Sequence, residues 1–299
     1  SVRSSLRWGF IDKQGKFVIE PIYSAVTNFD CGKAGKANAQ KNGKKKGGII
    51  CFDGAFHGRT VGAQMMTGSE PARAWIGYQD PEIYHLPFPY PWASGMTSPK
   101  KFFQETLAQL LESKGLDPDT DLCGFMLETF QGWGAIFYPD EFVKELVDYA
   151  HEHGMLVAFD EMQSGFGRTG ELFGYMHYEV EPDLLCCGKG ASSSLPLAVV
   201  LGSQEIMDLP EVGDMSSTHS GNPLCCAAGH ANFKSIVDDS LVERSEDLGK
   251  LMGDKLHKLK EKYSNVLSYV SVKGLLASII FVDKTDTSLS DLCDEICVK

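Results

Sequence analysis

From Gly47 onward the chain alternates between short apolar runs and stretches of helical period. Ile49-Ile50-Cys51-Phe52, Phe125-Met126-Leu127, Met155 to Phe159, Leu184 to Cys187 and Leu197 to Leu201 have the length and composition of buried strands. Lys101 to Lys114 places Phe103, Leu107, Leu110 and Leu111 at i, i+4, i+7 and i+8, an amphipathic helix. Pro139-Asp140 opens a second predicted helix, which runs through His153 and stops at Gly154. Two more are predicted from Pro223 to about Val237 and from about Leu241 to Tyr263. Strands alternating with helices imply a mostly parallel sheet covered on both faces, with ligands off the carboxyl ends of its strands. Asp160 and Glu161 stand at such an end, directly after Met155-Leu156-Val157-Ala158-Phe159.

Residues 7–46 have a different texture and read as short β elements with turns. Trp8-Gly9-Phe10-Ile11-Asp12 leads into a turn at Lys13-Gln14-Gly15-Lys16, and Phe17-Val18-Ile19-Glu20 runs into Pro21, which ends the strand or confines it to an edge. The pattern W-G-F-I-D-x-x-G-K-x-V-I-x-P-x-Y resembles one unit of a WG-repeat array. Gln40-Lys41-Asn42-Gly43-Lys44 reads as the lead-in to a second unit whose Trp-Gly does not arrive. A single repeat cannot bury its own apolar face, so this segment is expected to pack on something else or to stay partly loose.

Composition sharpens the picture in two ways. The net charge of −12 argues against a nucleic-acid or anionic-membrane surface. That charge is uneven: residues 1–60 carry 11 Lys and Arg against 4 Asp and Glu, and the basic run Lys41, Lys44, Lys45, Lys46 reads as a solvated linker. Nine cysteines without a C-x-x-C pair suggest neither a disulfide framework nor a zinc site. The vicinal pairs Cys186-Cys187 and Cys225-Cys226 read as small buried hydrophobes. A reducing compartment, the cytoplasm, is expected, with no membrane-spanning run and no secretory signal.

The chemistry begins at Asp160. A carboxylate closing an apolar strand is expensive to bury unless it meets a cation or several donors. Taken alone, a strand-end Asp is read equally well as a cap or an ion-pair partner. Lys189 follows another apolar strand in Cys186-Cys187-Gly188-Lys189-Gly190, so two strand ends could deliver an Asp and a Lys to one pocket. Flanking glycines would leave room for a planar ligand, and desolvation would make the amine nucleophilic. By spacing alone Lys189 could also be a surface-loop lysine.

The stretch Phe159-Asp160-Glu161-Met162-Gln163-Ser164-Gly165-Phe166-Gly167-Arg168-Thr169-Gly170 resembles the D-E-V-Q-T-G-F-G-R-T-G signature of class III aminotransferases, fold-type I pyridoxal-phosphate enzymes. Three further blocks match in order. Phe56-His57-Gly58-Arg59-Thr60 is similar to the aromatic-H-G-R-T block and Glu128-Thr129-Phe130-Gln131-Gly132 to E-P-x-Q-G. Thr218-His219-Ser220-Gly221-Asn222-Pro223 is similar to T-x-x-G-G-N-P. The resemblance implies a three-layer α/β large domain with a mostly parallel central sheet, preceded by a short β segment. It divides the chain into residues 1–46, the WG-like segment; 47–265, the cofactor-binding large domain; and 266–299, the start of a small domain. Lys189 would be the Schiff-base lysine of pyridoxal 5′-phosphate and Asp160 the partner of its pyridine nitrogen. Phe56 would stack on the ring, His57 belongs to the same cofactor-binding block, and Gln163 would donate to the ring's 3′-oxygen. Thr218 would reach a phosphate oxygen in the neighbouring subunit, implying a homodimer, and Glu128 would line the substrate side. Arg59 and Arg168 would be structural. The implied reaction moves an amino group from an amino acid or amine to a 2-oxo acid.

The sequence also departs from the family pattern. The phosphate-cup motif S-G-x-E-A has only a degenerate echo at Cys31-Gly32, and the family's first hundred or so residues and most of its C-terminal small domain do not align. Trp133 stands where the family often has a small or acidic residue, either narrowing the pocket or simply packing. Two other readings compete. Gly165 to Gly170 is formally G-x-G-x-x-G, a dinucleotide fingerprint, although Thr169 to Phe173 does not read as the helix that motif requires. The other is a catalytically impaired aminotransferase-like module that binds the cofactor or a protein partner.

Overall fold

The apolar runs form a central sheet because each is buried on both faces. The structure, a computed structural model, describes residues 2–4, 7–11, 17–23, 30–44, 47–91, 98–211, 218–282 and 297. The chain opens with β1 (Val2–Ser4), β2 (Arg7–Ile11) and β3 (Phe17–Tyr23), a separate antiparallel sheet. Helix α1 (Asp30–Lys41), β4 (Gly48–Phe52), α2 (Val61–Met66), α3 (Glu70–Arg73) and β5 (Ile83–Leu86) follow. Next come α4 (Pro99–Lys114), α5 (Pro118–Asp121), β6 (Leu122–Glu128) and a two-stranded ribbon of β7 (Phe130–Gln131) and β8 (Ile136–Phe137). Then come α6 (Asp140–Glu152), β9 (Leu156–Asp160), β10 (Leu184–Cys187), β11 (Val199–Gly202) and α7 (Gln204–Met207). Helices α8 (Pro223–Asp238) and α9 (Leu241–Lys262) lead into a hairpin of β12 (Leu267–Lys273) and β13 (Leu276–Phe281).

The large sheet has the order β11-β10-β9-β6-β4-β5, parallel except for β11, which pairs antiparallel with β10. Side chains alternate across it with period two. Ile50, Phe52, Phe125, Leu127, Val157 and Phe159 join one core with Phe103 and Leu107 of α4 and Phe142 and Leu146 of α6. Ile49, Cys51, Cys123, Met126, Leu156 and Ala158 join the other, with Ala39 of α1 and Met207 of α7. The three-layer arrangement expected from the sequence is therefore present. No described helix is long and apolar enough to cross a membrane.

Three expectations are corrected. Residues 30–41 are helical rather than part of the short β elements expected over 7–46, and Gln40-Lys41 of the expected lead-in end that helix. The segment Asp-Cys-Gly-Lys-Ala-Gly-Lys-Ala-Asn-Ala-Gln-Lys holds three alanines and no β-branched residue, so the α state is favoured once it can pack. It lies on β6, close enough that a Cβ on Gly35 would sit 3.3 Å from the Cys123 sulfur. The echo of the phosphate-cup motif at Cys31-Gly32 thus falls in the first turn of a helix. Cys186 is disulfide-bonded, against the expectation of no disulfide, whereas Cys187 and Cys226 are buried as expected and Cys225 is only half-buried.

The basic run is also more than a solvated linker. Lys44 donates to the carbonyls of Pro118 (3.1 Å), Leu122 (2.9 Å) and His153 (2.7 Å), tying the end of α1 to α5, β6 and the end of α6. Lys41 does behave as a surface cation, 3.4 Å from Glu205. Replacing Lys44 by methionine keeps the stem and removes the donors. Because hydrogen bonds from a charged donor contribute about 1.5–3 kcal/mol, Lys44→Met is expected to lower stability by about 2 kcal/mol. The check is a lower urea midpoint at unchanged slope, and an unshifted midpoint would refute the assignment.

Candidate active site

Three neighbouring parallel strands bring their carboxyl ends to one crevice. Glu128 ends β6, Asp160 ends β9, and the two lie in register; Asp160 is likewise in register with Cys186 of β10, three residues before Lys189. Open parallel sheets bind ligands at such ends.

Asp160 is buried, and both its oxygens accept hydrogen bonds. Oδ2 lies 3.0 Å from Nδ1 of the buried His57, and Oδ1 takes the Met162 N–H at 3.0 Å. Its basic partner is therefore His57 rather than Lys189. His57 is fixed from its own backbone, whose N–H donates to Thr67 Oγ1 at 3.1 Å.

Glu128 is also buried and accepts the N–H groups of Phe56 (3.0 Å) and Gly132 (3.2 Å). Burial raises its pKa to about 7, with the nearby Asp160 adding to the rise; His57 and the two backbone donors pull it down. The folded state thus holds this proton more tightly than the unfolded chain, where Glu titrates near 4.5. Stability contributed here is greatest below pH of about 4.5, falls by about 3 kcal/mol as pH rises to about 7, and is flat above that. Glu128→Gln is expected to remove that decline relative to wild type, read from urea titrations at several pH values. Parallel pH profiles for the two proteins would refute it.

Lys189 is the exposed first residue of a 3-10 turn, Lys189–Ala191, whose end at Ala191 is buried, and its own φ is +39°. A non-glycine residue in this region is strained by about 1–3 kcal/mol and persists only where its surroundings impose it. The surroundings are specific. A Cβ on Gly188 would overlap the Met162 sulfur, and one on Gly190 would lie 3.5 Å from the Phe166 ring. Gly188 leaves room for the Met162 side chain and Gly190 lies within ordinary contact distance of Phe166, so the turn seats on the loop that begins at Asp160. From the other side Asn232 of α8 donates to the carbonyls of Gly190 (2.7 Å) and Ala191 (3.3 Å).

The loop itself is fastened from beneath. Glu161 is fully buried and accepts from Thr129 Oγ1 (2.5 Å), Ser164 Oγ (2.6 Å), Gly174 N–H (2.9 Å) and Tyr175 N–H (2.7 Å). Burial raises its pKa while these four donors oppose the rise. Residues 165–170 form turns, not the start of a helix, which rules against the dinucleotide fingerprint.

The other expected site residues are placed as follows. Phe56 is 39% exposed, with the Arg59 guanidinium 5.6 Å from its ring centre. Gln163 is exposed and so close to Gly132 that a Cβ there would overlap its amide. Thr218 is exposed on the turn before α8. Arg168 is exposed, and its carbonyl accepts from Leu275 N–H (2.9 Å) and Ser245 Oγ (3.3 Å). Glu161 and Asn232 were given no role in the sequence. For Glu161 the signal was present, since a second carboxylate behind an apolar strand also needs donors.

This sheet, with its crevice at the ends of β6, β9 and β10, is that of the fold-type I transaminases. Residues 28–298 match the class-III aminotransferase family, to which the chain belongs, and residues 8–44 match the WG containing repeat. The chain is 32% identical over 252 residues to a probable 4-aminobutyrate aminotransferase of Bacillus subtilis, covering 83% of this chain and 57% of that one. It is 36% identical over 242 residues to an acetylornithine aminotransferase of Shewanella oneidensis, covering 81% and 55%. A thermostable (S)-enantioselective omega-transaminase from Thermomicrobium roseum superposes with a TM-score of 0.76 at 26% identity, over 88% of this chain and 60% of that one. The chain thus spans somewhat more than half the length of these relatives.

Proposed function

We propose that this chain is the cofactor-binding part of a pyridoxal-phosphate-dependent aminotransferase that moves an amino group from an amino acid or amine to a 2-oxo acid. The observation that carries the reading is the seating of the Lys189 turn, through Gly188 and Gly190, on the loop that starts at the His57-anchored Asp160. The donor set suits the cofactor: a carboxylate has about four acceptor positions, and two are used here, so Asp160 retains capacity for a protonated ring nitrogen. Pyridoxal phosphate, when bound, supplies a ring that withdraws electrons from the donor's Cα. His57 orients the Asp160 carboxylate, which keeps the proton on the ring nitrogen. Lys189 Nζ would hold the cofactor through its aldehyde and, when free, would serve as the base that moves the proton at the donor's Cα. Phe56 covers a ring face, Gln163 donates to the 3′-oxygen, and Glu128 borders the substrate. Thr218, exposed before α8, reaches the phosphate of a second subunit, so the working form is a homodimer. The cytoplasm is the proposed compartment.

The test is direct. Protein mixed with pyridoxal phosphate should turn yellow, and borohydride should fix the cofactor on the peptide containing Lys189. Lys189→Ala should stay colourless after desalting. Label on any other lysine, or a protein that takes up no cofactor, would overturn the reading.

A further inference from the structure

Trp133 is 61% exposed, yet it is held in one place. Its indole N–H donates to Oε1 of Gln131 at 2.8 Å, and the Tyr90 hydroxyl donates to the same oxygen at 2.8 Å. Gln131 is fully buried and donates its own amide N–H to the Asp53 carbonyl. The Tyr90 and Trp133 rings lie 6.1 Å apart, inclined by 58°. An indole pinned this way presents a preorganised apolar surface to solvent.

Its position is next to the crevice on two sides. Gly132, the preceding residue, donates to Glu128 and closely abuts Gln163. The Asp53 carbonyl that fixes Gln131 begins the turn Gly54-Ala55-Phe56. Gly54 has φ +79°, and a Cβ there would lie 2.9 Å from the Tyr90 oxygen and 3.0 Å from the Gln131 amide. The aromatic pair is therefore tied to the Phe56 turn through Gln131 and the Asp53 carbonyl, and Trp133 to Glu128 and Gln163 through Gly132.

We propose that Trp133 and Tyr90 form a specificity-determining wall of the amine site, and that the favoured donor carries an aryl or bulky apolar group rather than a second carboxylate. This rests on the aminotransferase reading above. A distal carboxylate at this wall would meet the buried Glu128 and an apolar indole, while the nearby Arg59 guanidinium is already stacked over Phe56. An aryl group would instead stack on a ring whose orientation is already fixed, with little further loss of freedom.

The experiment compares 1-phenylethylamine with 4-aminobutyrate as donors to the full chain loaded with pyridoxal phosphate, reading the single-turnover change in cofactor absorbance. Wild type should favour 1-phenylethylamine by about tenfold or more in kcat/KM. Trp133→Ala should lose most of that preference, and Trp133→Phe should keep it. In cofactor-free protein, 1-phenylethylamine should quench emission present in wild type and absent from Trp133→Phe. Equal use of both donors, or a preference unchanged in Trp133→Ala, overturns this proposal and leaves the aminotransferase reading standing. Absence of any cofactor linkage at Lys189 and of reaction with either donor overturns both.

Discussion

Asp160→Asn is expected to slow the half-reaction with any amino donor by about 10²- to 10³-fold, the loss typical when one preorganised electrostatic group is removed from a reacting centre. The substitution keeps size and shape and removes the charge. Asparagine offers one acceptor oxygen in place of two, so either the His57 ring or the Met162 N–H loses its partner. A stability loss of about 1–3 kcal/mol should accompany the rate loss. Single-turnover absorbance and a urea titration separate the two effects. Asp160→Glu, with the charge retained, should recover part of the rate. A half-reaction unchanged in Asp160→Asn would show that the carboxylate does not act at the ring nitrogen.

Gly274→Ala should be strongly disruptive although it lies outside the crevice. Gly274 lies in the turn between β12 and β13 with φ +53°, and an added Cβ would overlap the backbone of Thr169 and Gly170. The same turn donates Leu275 N–H to the Arg168 carbonyl, and Gly249 of α9 packs against Gly274 itself. Both neighbours are backbone, so no flexible side chain can move aside. Overpacking and left-handed strain together should lower stability by about 3 kcal/mol or more. Because Phe166 of the clamped loop touches the Lys189 turn, the half-reaction should slow as well. The checks are the urea midpoint and faster tryptic cleavage after the exposed Arg168. A midpoint equal to wild type would mean that the hairpin is not wedged against this loop.

Much of the central fold was legible because both-face burial leaves an unmistakable mark. The apolar runs at 49–52, 125–127, 155–159 and 184–187 became β4, β6, β9 and β10, and the helices at 99–114, 140–152, 223–238 and 241–262 lie within a residue or two of their predicted bounds. What failed was local. The helix at residues 30–41 lies inside the stretch that matches the WG containing repeat, and its helical state follows from packing on β6 rather than from the repeat's β pattern. Lys44 was read as solvated because no sequence signal marks three carbonyls drawn from residues 118, 122 and 153. The hairpin of β12 and β13 has no counterpart among the elements predicted from the sequence.

For the site, the sequence by itself determined which residues stand at strand ends: Glu128, Asp160 and, just beyond, Lys189. Strand ends follow from apolar periodicity, which is a one-dimensional property of the chain. Only the tertiary structure decided their partners, because a hydrogen bond forms between residues that are near in space and far apart in sequence. It gave Asp160 the His57 ring from 103 residues away, gave Glu161 four donors, and turned the glycines around Lys189 into packing surfaces against Met162 and Phe166.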